Sequence, residues 1–336
     1  MHFMSRVHAK NLVSWAKDRP EVLVLSADLT SNTEVDLFRA AYPDRFLSMG
    51  MTEQNIVSFA GGLAREGFRP FFHTFGVFIY RRAFDQIAMS VAYPNLAVRM
   101  FGFLPGITTP GGATHQAIED IAVLRALPNL VILEPGDAGE VAQVLDLTAQ
   151  VDGPVYVRQL RGEVPVLFDL AEPMCLNRAR VLASGTDLVL FSSGICTEEA
   201  MRATRLLQHR GVSIQHLHIS THKPFSDPAI IESIVRVKYG VITMENHTII
   251  GGLGSEIAEV MAEAGVSQKL IRLGLRDTYA HGASRPYLMR KYGFDALALV
   301  RQVEHLLQTD LDIAEEELIA EISKPLVSAD AKPEDL

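Results

Sequence analysis

Short apolar runs alternate with longer amphipathic stretches along this chain. Val22-Leu23-Val24-Leu25 and Phe46-Leu47-Ser48-Met49 read as buried strands. From Thr52 to Arg65, Ile56, Phe59, Ala60 and Leu63 recur at helical spacing, and Gly67 ends the run. The same alternation predicts strands at 71–74, 98–103, 130–133 and 154–158 and helices over 82–92, 117–127 and 138–148. Phe75, Phe78 and Tyr80 fall in an expected strand-to-helix loop. A Gly/Pro-rich loop is expected over 105–113.

A second series follows: strands at 188–191, 214–218 and 240–244, helices over 197–208 and 254–264, and an acidic helical stretch over 310–323. The last thirteen residues read as frayed. The pattern predicts two doubly wound α/β domains, each a mostly parallel sheet covered by helices. We place them at 1–165 and 185–308, with a linker over 166–184 and a tail over 309–336.

The 336 residues suffice for two domains, and 48% hydrophobic with 21% charged residues is ordinary for a soluble globular protein. A net charge of -9 argues against a general nucleic-acid surface. The N-terminus lacks the apolar core of a signal peptide, and no apolar run reaches the roughly 20 residues of a membrane span. Cys175 and Cys196, 21 positions apart, have no metal-ligand spacing. A cytoplasmic location with reduced thiols is expected. His216, His218 and His222 alternate as a strand runs into a loop, which explains them without a metal. Gly252-x-Gly254 is an incomplete dinucleotide fingerprint, with Ile257 at the third glycine position.

Five motifs occur in order: Ser26-Ala27-Asp28-Leu29-Thr30-Ser31-Asn32, Met51-Thr52-Glu53-Gln54-Asn55, Arg82-Ala83-Phe84-Asp85-Gln86, Gly112-Ala113-Thr114-His115-Gln116 and Ile249-Ile250-Gly251-Gly252-Leu253-Gly254-Ser255. Over residues 5–305 the chain resembles the C-terminal half of transketolase, a half shared with 1-deoxyxylulose-5-phosphate synthase. That half is a separate subunit in two-chain members. The resemblance implies a pyrimidine-binding domain, a transketolase C-terminal domain and thiamine diphosphate as cofactor. Glu53 matches the glutamate that hydrogen-bonds the cofactor's aminopyrimidine; by itself it also reads as an ordinary helix-start acid. Phe78 matches the ring that stacks on the pyrimidine, and one of Arg81 and Arg82 is expected to point at cofactor or donor. His115 matches a histidine that bonds the donor sugar. Ser31, Arg158 and Arg161 match or neighbour groups that hold the substrate's distal anion, for which an arginine fork is suited.

The chain departs from the family where Thr109-Pro110-Gly111-Gly112 replaces Gly-Glu-Asp-Gly and Phe103-Leu104-Pro105 replaces a phosphate-binding histidine. An altered donor is expected. The metal-holding Gly-Asp-Gly and its following asparagine have no counterpart; Pro135-Gly136-Asp137-Ala138-Gly139 lacks the pattern. The resemblance therefore implies an N-terminal transketolase subunit as partner, holding Mg2+ or Ca2+ on the diphosphate, within an α2β2 assembly in which this chain also self-associates. The expected activity is transfer of a two-carbon ketol unit from a ketose to an aldehyde. The β subunit of a 2-oxoacid dehydrogenase and a non-catalytic scaffold or regulatory homologue are the alternatives.

Overall fold

The computed structural model describes residues 2–322. Among them the strands form a seven-stranded sheet, a five-stranded sheet and a two-stranded ribbon, giving two α/β layers. In the larger sheet the order is Thr221–Lys223, Val131–Leu133, Val155–Gln159, Arg99–Phe103, Arg69–Phe75, Val22–Ser26 and Phe46–Ser48. All pairs are parallel except the one made by Thr221–Lys223. Strands buried on both faces account for the apolar runs. Phe71, Phe72, Phe101 and Phe103 fill the core beside them.

The smaller sheet runs Leu270–Leu275, Gly240–Thr248, Leu188–Ser193, Ile214–Ile219 and Arg180–Ala183, with only the last antiparallel. Phe3–Ser5 pairs antiparallel with Glu163–Pro165. These two short strands, Arg180–Ala183 and Thr221–Lys223 carry no periodic signal long enough to predict them. The acidic stretch is helical over Glu315–Ile322; the residues expected to fray lie outside the described ones. Among the described residues no helix is long and apolar enough to cross a membrane.

Three expectations need correction. The helix expected to begin at Arg82 begins at Gly76, so Phe78 and Tyr80 are helical and not in a loop. It breaks from helical geometry at Ala83 and continues as a π-helix over Ile87–Ala92. The π-segment approaches the Glu53–Arg65 helix so closely that a Cβ on Gly61 would collide with the Ser90 carbonyl. The helix expected over 117–127 shrinks to Asp120–Leu124. The carbonyls of Ala117 and Ile118 are instead taken by the backbone N–H groups of Gly106 and Thr248. The strand expected to stop at Met244 runs to Thr248. The glycine turn that follows is closed to a dinucleotide: the buried Glu245 carboxylate accepts from the Leu253 and Gly254 N–H groups at 2.8 and 3.0 Å, filling the helix N-terminus.

A buried ion network joins the two halves. Arg158 bonds Asp120 at 2.8 Å and also pairs with Glu134, while its second terminal nitrogen donates to the carbonyls of Ala117 and Asn246. His222 lies 2.9 Å from both Glu134 and Glu256. Burial alone would lower the His222 pKa, but the Glu256 charge and hydrogen bonds to both carboxylates push it up to about 10. A raised folded-state pKa contributes stability that is complete below the unfolded value near 6.5 and is lost as pH rises through about 10. Thermal unfolding midpoints of the wild type and His222→Gln are therefore expected to differ most near pH 6 and to converge toward pH 10. A constant difference across that range would contradict a charged His222.

Candidate active site

Five parallel strands of the larger sheet end on the same edge, and each leads into one expected site residue. Arg161 follows Val155–Gln159, His115 follows Arg99–Phe103, and Phe78 follows Arg69–Phe75. Ser31 follows Val22–Ser26, and Glu53 follows Phe46–Ser48. Crevices at the carboxyl ends of such strands are where open α/β sheets bind ligands.

Glu53 opens its helix after a turn in which Gly50 has φ +68°, a conformation that favours glycine. The residue is 3% exposed, and its carboxylate accepts a hydrogen bond from Arg82 Nη1 at 2.7 Å. The Arg82 guanidinium lies over the Phe78 ring, 3.9 Å from its centroid. On the same ring the His115 imidazole makes an edge contact, with centroids 5.5 Å apart at 70°. Phe75 makes a second edge contact with His115. Glu53, Arg82, Phe78 and His115 thus form one continuous cluster. One helix supplies its centre, because Phe78 and Arg82 are four residues apart and share a face.

The His115 loop is held from three sides. Asn246, on the second sheet, donates to the Pro105 carbonyl and accepts from the Ile107 N–H, both at 2.9 Å. Gln116 is buried and its amide reaches toward the carbonyls of Thr109 and His281. Gly282 packs so closely on the loop that a Cβ would collide with the Pro110 carbonyl. At position 111 a Cβ would sit 3.0 Å from the His115 Cβ, so the glycine that replaces a family acid leaves the imidazole its room. His115 Nδ1 lies 2.9 Å from Thr114 Oγ1.

Two expected site residues go elsewhere. Arg81 does not face Glu53; it forms a two-pronged ion pair with Glu119 at 2.7 and 2.9 Å and donates to the Ala113 carbonyl. One residue along a helix turns a side chain by about 100°, so Arg81 and Arg82 cannot share a target. Arg158 is fully buried with its donors taken by the ion network, and is withdrawn as an anion-binding group. Arg161 stays with Ser31: its Nη1 donates to the carbonyl of Asn32, the next residue.

Sequence reasoning missed Glu119, Asn246 and Gly282. Glu119 reads only as one more acid at a helix start. Asn246 and Gly282 come from the second half of the chain, and no local pattern announces a contact across more than a hundred residues. Nor does the Gly136-Asp137 turn offer a diphosphate site: the Asp137 carboxylate accepts from the N–H groups of Glu140, Leu167 and Phe168. His216 and His218 bond Ser192 and Thr197, and among the described residues no three His, Cys, Asp or Glu side chains converge as metal ligands.

Residues 4–166 match the family profile described as transketolase, pyrimidine binding domain, and residues 177–299 match transketolase, C-terminal domain. An uncharacterized transketolase family protein of Sinorhizobium fredii is 40% identical over 89% of this chain and 87% of its own length. The 6-deoxy-6-sulfo-D-fructose transketolase subunit SqwH of a Clostridium species is 33% identical over 91% of this chain and 95% of its own. A solved structure described as a split gene transketolase, inactive beta4 tetramer, superposes with a TM-score of 0.82 at 36% identity, covering 90% of this chain and 97% of that one. The chain belongs to the transketolase family, whose members depend on thiamine diphosphate.

Replacing Arg158 with Ala takes from Asp120 its arginine partner and leaves Glu134 with His222 alone. The expected cost is about 3–5 kcal/mol in urea unfolding. An unchanged unfolding midpoint with weakened anion binding would instead restore Arg158 to the substrate site.

Proposed function

We propose that this chain is the pyrimidine-binding subunit of a two-chain, thiamine-diphosphate-dependent transketolase. The observation that carries this reading is the seat formed by Glu53 and Phe78 beside His115. Its own occupant tests its chemistry. The Arg82 guanidinium is a flat, nitrogen-rich cation that hydrogen-bonds the Glu53 carboxylate and stacks on Phe78. An aminopyrimidine would use the same aromatic face, and its ring nitrogen, an acceptor, would take a hydrogen bond from a protonated Glu53 carboxyl at the oxygen to which Arg82 now donates. The Arg82 side chain is 43% exposed, so water can take up its head group when a ligand claims the carboxylate oxygen.

When bound, the cofactor supplies the electron sink for breaking the carbon–carbon bond beside a ketose carbonyl. Glu53 would hold the pyrimidine ring nitrogen, and Phe78 would support the ring's face. His115, able to donate and to accept, steadies an oxygen of the donor whose charge changes. Ser31 and Arg161 hold the anionic far end of the ketose, a phosphate or a sulfonate. SqwH acts on a sulfonated ketose by its name, and the acid-free turn Thr109-Pro110-Gly111-Gly112 suits a donor unlike the usual pentose phosphates. The diphosphate and its Mg2+ or Ca2+ need a partner subunit carrying the Gly-Asp-Gly motif, in an α2β2 assembly. The inactive β-only tetramer of the solved split enzyme is consistent with that need.

The test is turnover by this chain reconstituted with such a partner. Wild type is expected to transfer a ketol unit from a ketose phosphate or sulfonate to an aldehyde. Glu53→Gln should lower kcat by about 100-fold or more, within the range for losing a group that manages a proton, with an unfolding midpoint close to wild type. Decarboxylation of a 2-oxoacid without ketol transfer would point to the dehydrogenase class. Undiminished turnover in Glu53→Gln would remove Glu53 from the chemistry.

A further inference from the structure

The loop that carries His115 is rich in residues that do not fix their own conformation. Gly106 and Gly112 both have positive φ, and Gly111 has no side chain to pack. Something outside the loop must set where the imidazole stands. Asn246 fixes the beginning of the loop, at Pro105 and Ile107. The segment around His115 itself is held by Arg81.

Arg81 uses all three guanidinium nitrogens. Nε and Nη2 engage the two oxygens of Glu119 at 2.7 and 2.9 Å. Nη1 donates to the Ala113 carbonyl at 2.8 Å, and Nη2 also reaches the Gln116 carbonyl at 3.4 Å. Those carbonyls bracket Thr114-His115. Glu119 lies in the same segment, just before the Asp120–Leu124 helix. Arg81 stands three residues after Phe78 on one helix, so the platform that touches the imidazole and the fork that holds its backbone share a rigid element.

We propose that the Arg81–Glu119 pair is a positioning clamp that sets the His115 imidazole against the Phe78 ring. Arg81 acts through the loop backbone and touches no reacting atom. A planar fork is needed, because one head group must meet a carboxylate through two nitrogens and a carbonyl through the third; a lysine ammonium, a point charge, cannot reproduce that geometry. The Arg81–Glu119 pair is less than a third exposed, 30% and 27% by side chain, so the loop holds it away from full solvent competition. The consequence for turnover rests on the transketolase reading; the clamp's geometry does not.

The experiment is histidine-selective NMR of the full-length chain, with the His115 ring signal assigned by its loss in His115→Asn. In the wild type the His115 signal should be displaced by the ring currents of Phe75 and Phe78. In Arg81→Ala and Arg81→Lys it should move to the position of a mobile, exposed imidazole. In Glu119→Gln, which keeps one acceptor oxygen, it should move part of the way. The signals of the buried His216, His218 and His222 should stay in place in all three. If Arg81→Ala does not fold, Glu119→Gln carries the same test. In the reconstituted enzyme kcat should fall about 10- to 100-fold in Arg81→Ala, the scale of a small misplacement of an active-site group, with Arg81→Lys failing to rescue it. An unmoved His115 signal in Arg81→Lys and Glu119→Gln overturns the clamp, as does a shift shared equally by the buried histidines, which would mean general loosening. The NMR arm needs neither partner nor cofactor. Its failure therefore leaves the transketolase reading intact, and an inactive reconstituted pair leaves the clamp intact.

Discussion

The fully buried guanidinium of Arg158 is the constraint on which the rest of the structure depends. It stands on a central strand of the larger sheet and meets Asp120 and Glu134, all three buried from solvent. Its charge offsets the burial of both carboxylates, with His222 as a second partner for Glu134. Glu134 is held down to about 2: burial would raise it, but the Arg158 charge and the His222 hydrogen bond outweigh that. The same head group donates to the carbonyls of Ala117, at the exit of the His115 loop, and Asn246, on the second sheet. The Asn246 amide in turn pins the loop's entrance. One ion network therefore orders the joint between the sheets and the mount of the candidate catalytic loop. Such networks specify an arrangement more than they add net stability.

From that mount the site follows by simple geometry. Parallel strands deliver their carboxyl ends to one edge, and the segment after each strand is free to carry a polar group. Glu53 arrives at a helix start, Phe78 and Arg82 on one face of the next helix, and His115 on the loop beyond. In this structure the cluster is already self-satisfied, since Arg82 fills both the acceptor of Glu53 and the face of Phe78. A buried carboxylate would otherwise be left without a partner, at substantial cost. The Glu53–Phe78 cluster is thus formed and held by the chain's own cation.

Much of this was legible in the sequence. The strands at 22–26, 46–48 and 69–75 stand where apolar runs of the right length predict them, and the helix from Glu53 was expected to within a residue. What sequence conceals is where a side chain ends up. Arg158 resembled an anion-binding residue by its motif, yet it occupies an inward position on a parallel strand buried on both faces. A charge at such a position calls for internal partners, and that signal outweighs the motif. Arg81 and Arg82 are adjacent in sequence and part by helical rotation, which becomes visible only once the helix is known to start at Gly76. The aromatic cluster at 75–80 hid that start. The helix's buried residues, among them Val77, Ile79, Tyr80 and Ala83, do follow a helical stripe.

The central claim is that this chain holds one half of a cofactor site and needs another polypeptide for the other half. Calorimetric titration of thiamine diphosphate with Mg2+, into the full chain alone and into its complex with a subunit carrying the Gly-Asp-Gly motif, tests it most directly. The account predicts no saturable binding to the chain alone and stoichiometric binding to the complex. Tight, metal-dependent binding to the chain alone, or none to a stable complex, would contradict it.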